Sequence, residues 1–565
     1  MGDLLAPRQR RIHWKICWYD EAPCTNSRDT ARLIRLTLTW AALLGEGPSR
    51  FEAVFPLIPL ANFDSMTPMW AISTQLEAGS SEESRDAVLS IAVCQMDITP
   101  DYGANWLCGY GWGKGGVTPI EAPSGRPLRA QCLVVWDRGT PNIMLRLDVA
   151  NITRGVNQRL RDRLRDENLI TEKADFIILS SHTHKGPYLA YGHLDEYTLI
   201  DLTDEEIDMV IDWTEALIDN LVSLVRQSLG IAPVPVTMHF GEETVEPSIS
   251  AVRGGTNGTP LSKVQVLVAR SMMGRAVAVL FGFACHSTFS RDPRGEATNR
   301  TYDSDFCGLA SQSLESPENE LAVPAALFFQ GAAGDLVSNG TLALAGEEVA
   351  KAVRSILAKP EQDLQPVTGP LRNSYVEINL PLMVDLAVPE ERSRLRGEYQ
   401  NRIDSGRFTV ENGLAQVKRH AQKMVGNLDD PAYWSVPTPL QCWRFTGLTI
   451  LAMAHEVSSQ YARQLEPYAG ESRLWVMGYA NETEIYLPDH EGLLKAGYNS
   501  GWSESEGQNV AAIDPSSLIP YTWPCPLKLV PRDQPVPVQP IGLRDAPMDT
   551  APRIVWDICV ELLQS

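Results

Sequence analysis

Five short apolar runs, each delivering polar residues at its end, constrain the fold of this 565-residue chain more than any other feature. FIIL at 176–179 runs into Ser180, Ser181, His182, Thr183 and His184, and AVAVLFGFAC at 276–285 runs into His286. PAALFFQ at 324–330 meets the turn Gly331-Ala332-Ala333-Gly334-Asp335, LTILAMA at 448–454 meets His455 and Glu456, and LWVMGYA at 474–480 meets Asn481. Short apolar runs alternating with helical periods predict α/β layers, and open α/β sheets gather their ligands at the C-terminal ends of the strands.

The helical periods are equally legible. In the segment 203–230, Thr203 and Glu206 form a capping box, and Ile207, Val210, Ile211, Leu217 and Leu221 mark one apolar face. Segments 154–164 and 342–359 are predicted helices by the same test. Residues 1–88 open with a basic stretch, lack clean periodicity and are expected to be a poorly defined extension to a domain spanning 89–565.

Composition narrows the function. An apolar content of 44% with 21% charged residues describes a globular chain, and a formal charge of −21 disfavours nucleic acid and anionic lipid surfaces. No stretch reaches the ~20 apolar residues that span a bilayer. The ten cysteines form no C-x-x-C pair; scattered reduced thiols fit best, with a cytoplasmic location favoured over a secreted one.

His182 and His184 lie two apart at a strand end, so in extended backbone both face one side and can converge on one ion. Gly186-Pro187 then turns the chain sharply. Imidazole, carboxylate and phenol around a divalent metal suit hydrolysis, because the ion acidifies a bound water and polarises a carbonyl. The sequence has no G-x-S-x-G elbow, no P-loop, no dinucleotide fingerprint after a strand and no H-E-x-x-H. The turn at 331–334 offers backbone N–H groups to an oxyanion, Asp335 an orienting carboxylate and Ser338 a candidate nucleophile.

Taken in order, DITP (97–100), GYG (109–111), SSHTHKGP, FACHS with SDFCGLA (304–310), FFQGAAGD, and AHEV with GYANETEIYLP resemble the neutral/alkaline non-lysosomal ceramidase family over about residues 90–505. The resemblance implies a large mixed-sheet α/β domain with flanking helices. It also implies cleavage of an N-acyl amide of a lipid-like acyl substrate (N-acylsphingosine amidohydrolase type, sphingolipid metabolism) at one zinc ion. Carried over, it assigns His184, Glu456 and Tyr486 to the metal, and Tyr498, twelve residues on, to the substrate carbonyl. His182 would sit beside the metal, positioning the nucleophile or water.

This chain departs from the pattern in three places. The family's first zinc histidine falls near Gly125, and no histidine lies between His13 and His182. Its serine aligns with Val337, leaving Ser338 one place late. The family's C-terminal immunoglobulin-like domain is expected to be absent, since only some sixty Pro-rich residues follow Tyr498. Two alternatives stand beside the hydrolase: a non-catalytic relative that binds a lipid or small molecule, and a barrel-type amidohydrolase.

Overall fold

The computed structural model describes residues 89–101, 105–108, 126–192, 202–245, 248–253, 259–290, 301–407, 415–495, 497, 499–502, 509–511, 513–514, 519–529 and 541–565. All belong to one unit, residues 65–565. The expected extension at 1–88 lies outside the described residues.

Twelve strands form one mixed sheet. Its first branch is the meander β1 (Ser90–Asp97), β2 (Arg129–Asp137) and β3 (Thr140–Leu147), followed by β4 (Phe176–Ser180). The strand β5 (Val234–Thr244) meets β1 through only two register pairs, while its partner over nine pairs is β7 (Lys263–Ser271). Beyond β7 lie β8 (Ala276–Phe283) and β9 (Ala326–Gln330); between β5 and β7 in the chain comes the short β6 (Ser250–Val252), which pairs with β10 (Leu336–Ser338). A third branch leaves β5 through β11 (Gln365–Pro381), β12 (Ser435–Thr446), β13 (Leu448–Met453) and β15 (Arg473–Met477). Two two-residue strands, β14 (Glu456–Val457) and β16 (Tyr486–Leu487), pair with each other. An open, branched, largely antiparallel sheet is not a closed ring of eight parallel strands, so the barrel-type amidohydrolase is dropped.

The five runs read from the sequence are β4, β8, β9, β13 and β15. Three of them are buried at every position, as apolar runs covered on both faces should be. Arg473 and Ala276, at the starts of β15 and β8, are the residues of these strands not fully buried. Within the twelve-stranded sheet parallel pairing occurs at three places, β3–β4, β8–β9 and β13–β15, and each pair is bridged by a helix: Arg154–Asp166, Asp305–Glu315 and Ser459–Leu465. Parallel neighbours release their chains on the same side, so each crossover delivers two C-terminal ends together.

The three branches enclose a core that includes Leu133, Met144, Phe240, Leu280, Trp443, Ile450 and Trp475. Burying each such side chain contributes about 1.5–3 kcal/mol. Outside it, helices Asp305–Glu315 and Leu342–Ala358 pack on the branch of β7 to β9. Helices Pro389–Asp404 and Ala551–Gln564 bury Leu395, Tyr399, Val555 and Trp556 in the cluster that covers β12 and β13. The long helix runs Asp204–Gly230 with the predicted capping box at Thr203 and Glu206. A fully buried pair, Arg146 and Asp148, ties two crossovers together: Arg146 grips Asp148 by two hydrogen bonds of 2.8 and 2.5 Å and donates through Nε to the Phe328 carbonyl at 3.2 Å.

Candidate metal centre

Backbone hydrogen bonds sew the strand ends to one another. Ser180 donates its amide to the Tyr479 carbonyl, Gly331 to Phe283, Gly478 to Gln330, Tyr479 to His455, Ala480 to Met453 and Asn481 to Ile178, at 2.7–3.3 Å. The exits of β4, β8, β9, β13 and β15 therefore form a single floor. Holding them there requires left-handed backbone at four side-chain-bearing residues: His182 (φ 58°), His455 (φ 72°), Tyr479 (φ 56°) and Asn481 (φ 63°). Such residues cost of order 1–3 kcal/mol each and cluster at functional sites.

Three imidazoles converge on this floor. Thr183 and Ser287 form a parallel bridge, and His184 donates its amide to the Ser287 carbonyl at 3.3 Å, so the segments carrying His184 and His286 run side by side. Gly186 permits the approach of the first segment to the chain leaving β3, since a Cβ there would stand 2.9 Å from Val149 Cα. His182 and His286 are buried and His184 is half-buried, and one ring nitrogen from each lies within 4.8 Å of the others.

The ring tautomers follow from their backbone partners. His182 Nδ1 lies 2.8 Å from the Ala150 carbonyl and His286 Nδ1 lies 3.0 Å from the Ala333 carbonyl. A carbonyl only accepts, so both Nδ1 atoms carry the proton and both Nε2 atoms present lone pairs inward. Burial keeps the rings neutral: His182 is held well below the ordinary histidine range, and His286 is pushed down to about 3, with Arg253 adding to the effect.

A carboxylate closes the cluster. Glu456 Oε2 is 3.1 Å from His286 Nε2 and 3.5 Å from His182 Nε2, yet it accepts no hydrogen bond. His184 Nε2 is 3.2 Å from His182 Nε2, and the Tyr486 hydroxyl is 3.5 Å from His286 Nε2. Glu456 Oε2 and the Nε2 lone pairs of His182 and His286 repel one another unless a cation lies between them. Donors 2.0–2.1 Å from a tetrahedral zinc are about 3.3 Å apart, and three of the six separations among Glu456 Oε2 and the three Nε2 atoms, at 3.1–3.5 Å, match that edge. The residues therefore fit a divalent ion by spacing, tautomer and charge, with Ala150 and Ala333 orienting the ligands from behind.

Glu456 and Tyr486 arrive together because β14 and β16 pair them in register. Burial raises the Glu456 carboxyl above its ordinary range against the pull of His182 and Arg253, and burial followed by the Glu456 charge raises the Tyr486 phenol well above its own. The Tyr486 ring stacks on His286 at 6.4 Å with planes 8° apart. Arg253, next to the C-terminal end of β6, lies 5.6 Å from the Tyr486 ring centre, and its Nη2 donates toward His286 Nε2 at 3.2 Å.

The remaining predicted residues among those described are engaged in contacts of their own. Asp335 accepts from the Ser459 amide (2.6 Å) and hydroxyl (2.8 Å), so its carboxylate anchors the start of helix Ser459–Leu465. The Ser338 hydroxyl is bonded to Thr288 Oγ1 at 2.8 Å, two residues past His286. The amides of Gly331 and Gly334 are already given to Phe283 and Val457; the second glycine serves close approach, since a Cβ at Gly334 would stand 2.2 Å from the Glu456 carbonyl oxygen. Tyr498 lies outside the described residues. His455 is structural: Nδ1 accepts from the Glu484 amide at 3.3 Å, and Nε2 lies 3.2 Å from both Thr438 Oγ1 and the Pro437 carbonyl.

Sequence reasoning placed His182 beside the ion, whereas its Nε2 points into the cluster. It found one of the family's histidine ligands missing, and the cluster that could hold an ion contains His286 as well. The signal for His286 was an apolar run ending in histidine, the same pattern that marked His184. Arg253 carried no sequence signal.

No family model matches the sequence, and comparison with curated proteins gives no match. Among solved structures, the neutral ceramidase from Pseudomonas aeruginosa is similar with a TM-score of 0.55 and 16% identity, over 73% of this chain and 71% of that one. A ceramidase complexed with C2 is similar with the same score and identity, over 73% of this chain and 72% of that one. The chain thus has a ceramidase-like fold.

Proposed function

We propose that the domain spanning 89–565 is a metal-dependent, ceramidase-like hydrolase that cleaves an amide or related acyl bond of a lipid-like substrate. The observation that carries this reading is the spacing of four lone-pair donors, His182, His184 and His286 Nε2 with Glu456 Oε2, around a point suited to one divalent ion, zinc by donor type. When bound, such an ion acidifies a water and polarises a carbonyl.

The chain's own groups supply the rest. With Oε2 held by the ion, the second carboxylate oxygen of Glu456 takes a proton from the attacking water; water oxygen bonds to the acyl carbon, the C–N bond breaks, and that proton passes to the leaving nitrogen. Tyr486, kept neutral by burial, remains a hydrogen-bond donor, and Arg253 favours the negative charge that develops on the acyl oxygen. Tyr498 is proposed to contact the substrate carbonyl. Asp335 acts through the helix it anchors. Ser338 is a nucleophile only if its hydroxyl leaves Thr288, so the acyl-serine route ranks second.

The test joins metal analysis of wild type and His184→Ala to a screen of N-acyl amides and esters with and without chelator. Zinc and hydrolysis lost together support the reading; a metal-free, inactive wild type sinks it. Arg253 favours a second reading, a non-catalytic binder, because its guanidinium is a cation already beside His286. Ligand binding by a metal-free protein supports that alternative.

A further inference from the structure

Tyr479 is buried completely, and its hydroxyl has no hydrogen-bond partner. A hydroxyl left so costs about 1–3 kcal/mol. The same residue is held at a φ of 56°, a second cost, by its amide bond to the His455 carbonyl and by its own carbonyl, which accepts from Ser180. Its ring lies 4.3 Å from the His182 ring and 6.4 Å from the His286 ring, so the phenol stands over the imidazole cluster.

The groups that face it are those of the pocket. Glu456 is the foremost charged neighbour, followed by Tyr486, Arg253 and Asp335. The phenol is close enough to Glu456 to favour the charged carboxylate, while neither the hydroxyl nor Glu456 Oε2 makes a hydrogen bond of ordinary geometry. A buried donor left unsatisfied beside these imidazoles describes a place for the acceptor oxygen of a ligand, with Glu456 Oε2 left to the ion.

We propose that the Tyr479 hydroxyl donates a hydrogen bond to the acyl oxygen of a ligand seated beside Glu456, the role the sequence offered to the turn at 331–334. This inference rests on the metal reading above. Tyr479→Phe keeps the ring against His182 and removes only the hydroxyl. The full-length protein, loaded with zinc, is titrated with acetohydroxamic acid, whose carbonyl oxygen imitates the acyl group, and with imidazole, which has no carbonyl. Zinc content and thermal midpoint are recorded for both proteins.

The expected result is equal zinc in wild type and Tyr479→Phe, an unchanged or raised midpoint, unchanged imidazole affinity and hydroxamate affinity lowered about tenfold or more. Equal hydroxamate affinity in the two zinc-loaded proteins overturns the proposal and leaves the metal reading standing. A parallel loss of imidazole affinity also overturns it, because Tyr479 would then act only by supporting His182. A wild type that takes up no zinc overturns both.

Discussion

Glu456 and Tyr486 are register partners in a two-residue parallel bridge, so a carboxylate and a phenol enter the imidazole cluster from adjacent strands. The carboxylate pays for that position, being buried with an oxygen that accepts no hydrogen bond. Glu456→Gln is therefore expected to weaken zinc binding at least tenfold, yet to stabilise the metal-free protein by about 1 kcal/mol. Competition with a chromophoric chelator and urea melts in chelator check the two signs; a less stable metal-free variant would show that the carboxylate is already satisfied.

His286 is expected to be as necessary to the ion as His184. His286→Ala and His184→Ala should each reduce retained zinc from about one equivalent to near none after dialysis, measured by atomic emission. Full occupancy in His286→Ala would return the ligand set to His184, Glu456 and Tyr486.

Arg253 sets a positive charge beside the cluster. Replacing it by Gln should raise zinc affinity by roughly tenfold or more, from relief of repulsion at an effective dielectric constant of ~20, while hydrolysis of an N-acyl amide falls. Isothermal titration and an amine-release assay separate these effects. A fall in zinc affinity would mean that the guanidinium braces the ligands.

Gly334 gives the turn its contact with the Glu456 backbone. Gly334→Ala should cost about 3 kcal/mol in urea denaturation, because the new methyl group meets a carbonyl rather than a flexible side chain. A loss under 1 kcal/mol would show that the turn relaxes freely.

His420 gives a pH prediction away from the cluster. It is buried with Nε2 against the Tyr521 carbonyl at 2.9 Å and Nδ1 3.4 Å from Arg402, and burial followed by the Arg402 charge pushes its pKa down to about 3. The unfolded chain takes up this proton near pH 6.5, so between pH 6.5 and 3 acid favours unfolding by about 1.4 kcal/mol per pH unit from this group. His420→Gln keeps a donor for Tyr521 and should flatten the acid limb of a stability-versus-pH curve by that amount. Superimposable slopes would refute it.

The elements were legible where one residue's neighbours in the chain decide its burial. The runs that became β4, β8, β9, β13 and β15 are apolar at nearly every position, and Thr203 with Glu206 marks a helix start by local chemistry alone. His182, His184 and Glu456 were legible for the same reason, standing at strand ends, whereas Tyr486 was named through the family resemblance alone. The partners of those residues were not. Whether His286 meets His182 depends on a bridge between Thr183 and Ser287, over a hundred residues apart, and whether Asp335 faces a ligand or caps Ser459 depends on a helix from another crossover. Periodicity carries no information about such crossings, nor about the left-handed turns at His182 and Tyr479 that aim the rings.

The mutual stitching of Ser180, Gly331, Gly478, Tyr479 and Ala480 also governs how the pocket exchanges its contents. A base built from sheet backbone loosens only with the sheet, among the slowest openings a protein undergoes. Entry and exit of an ion or substrate must therefore proceed on the side of the half-buried His184, Arg253 and Tyr486, leaving the base unmoved.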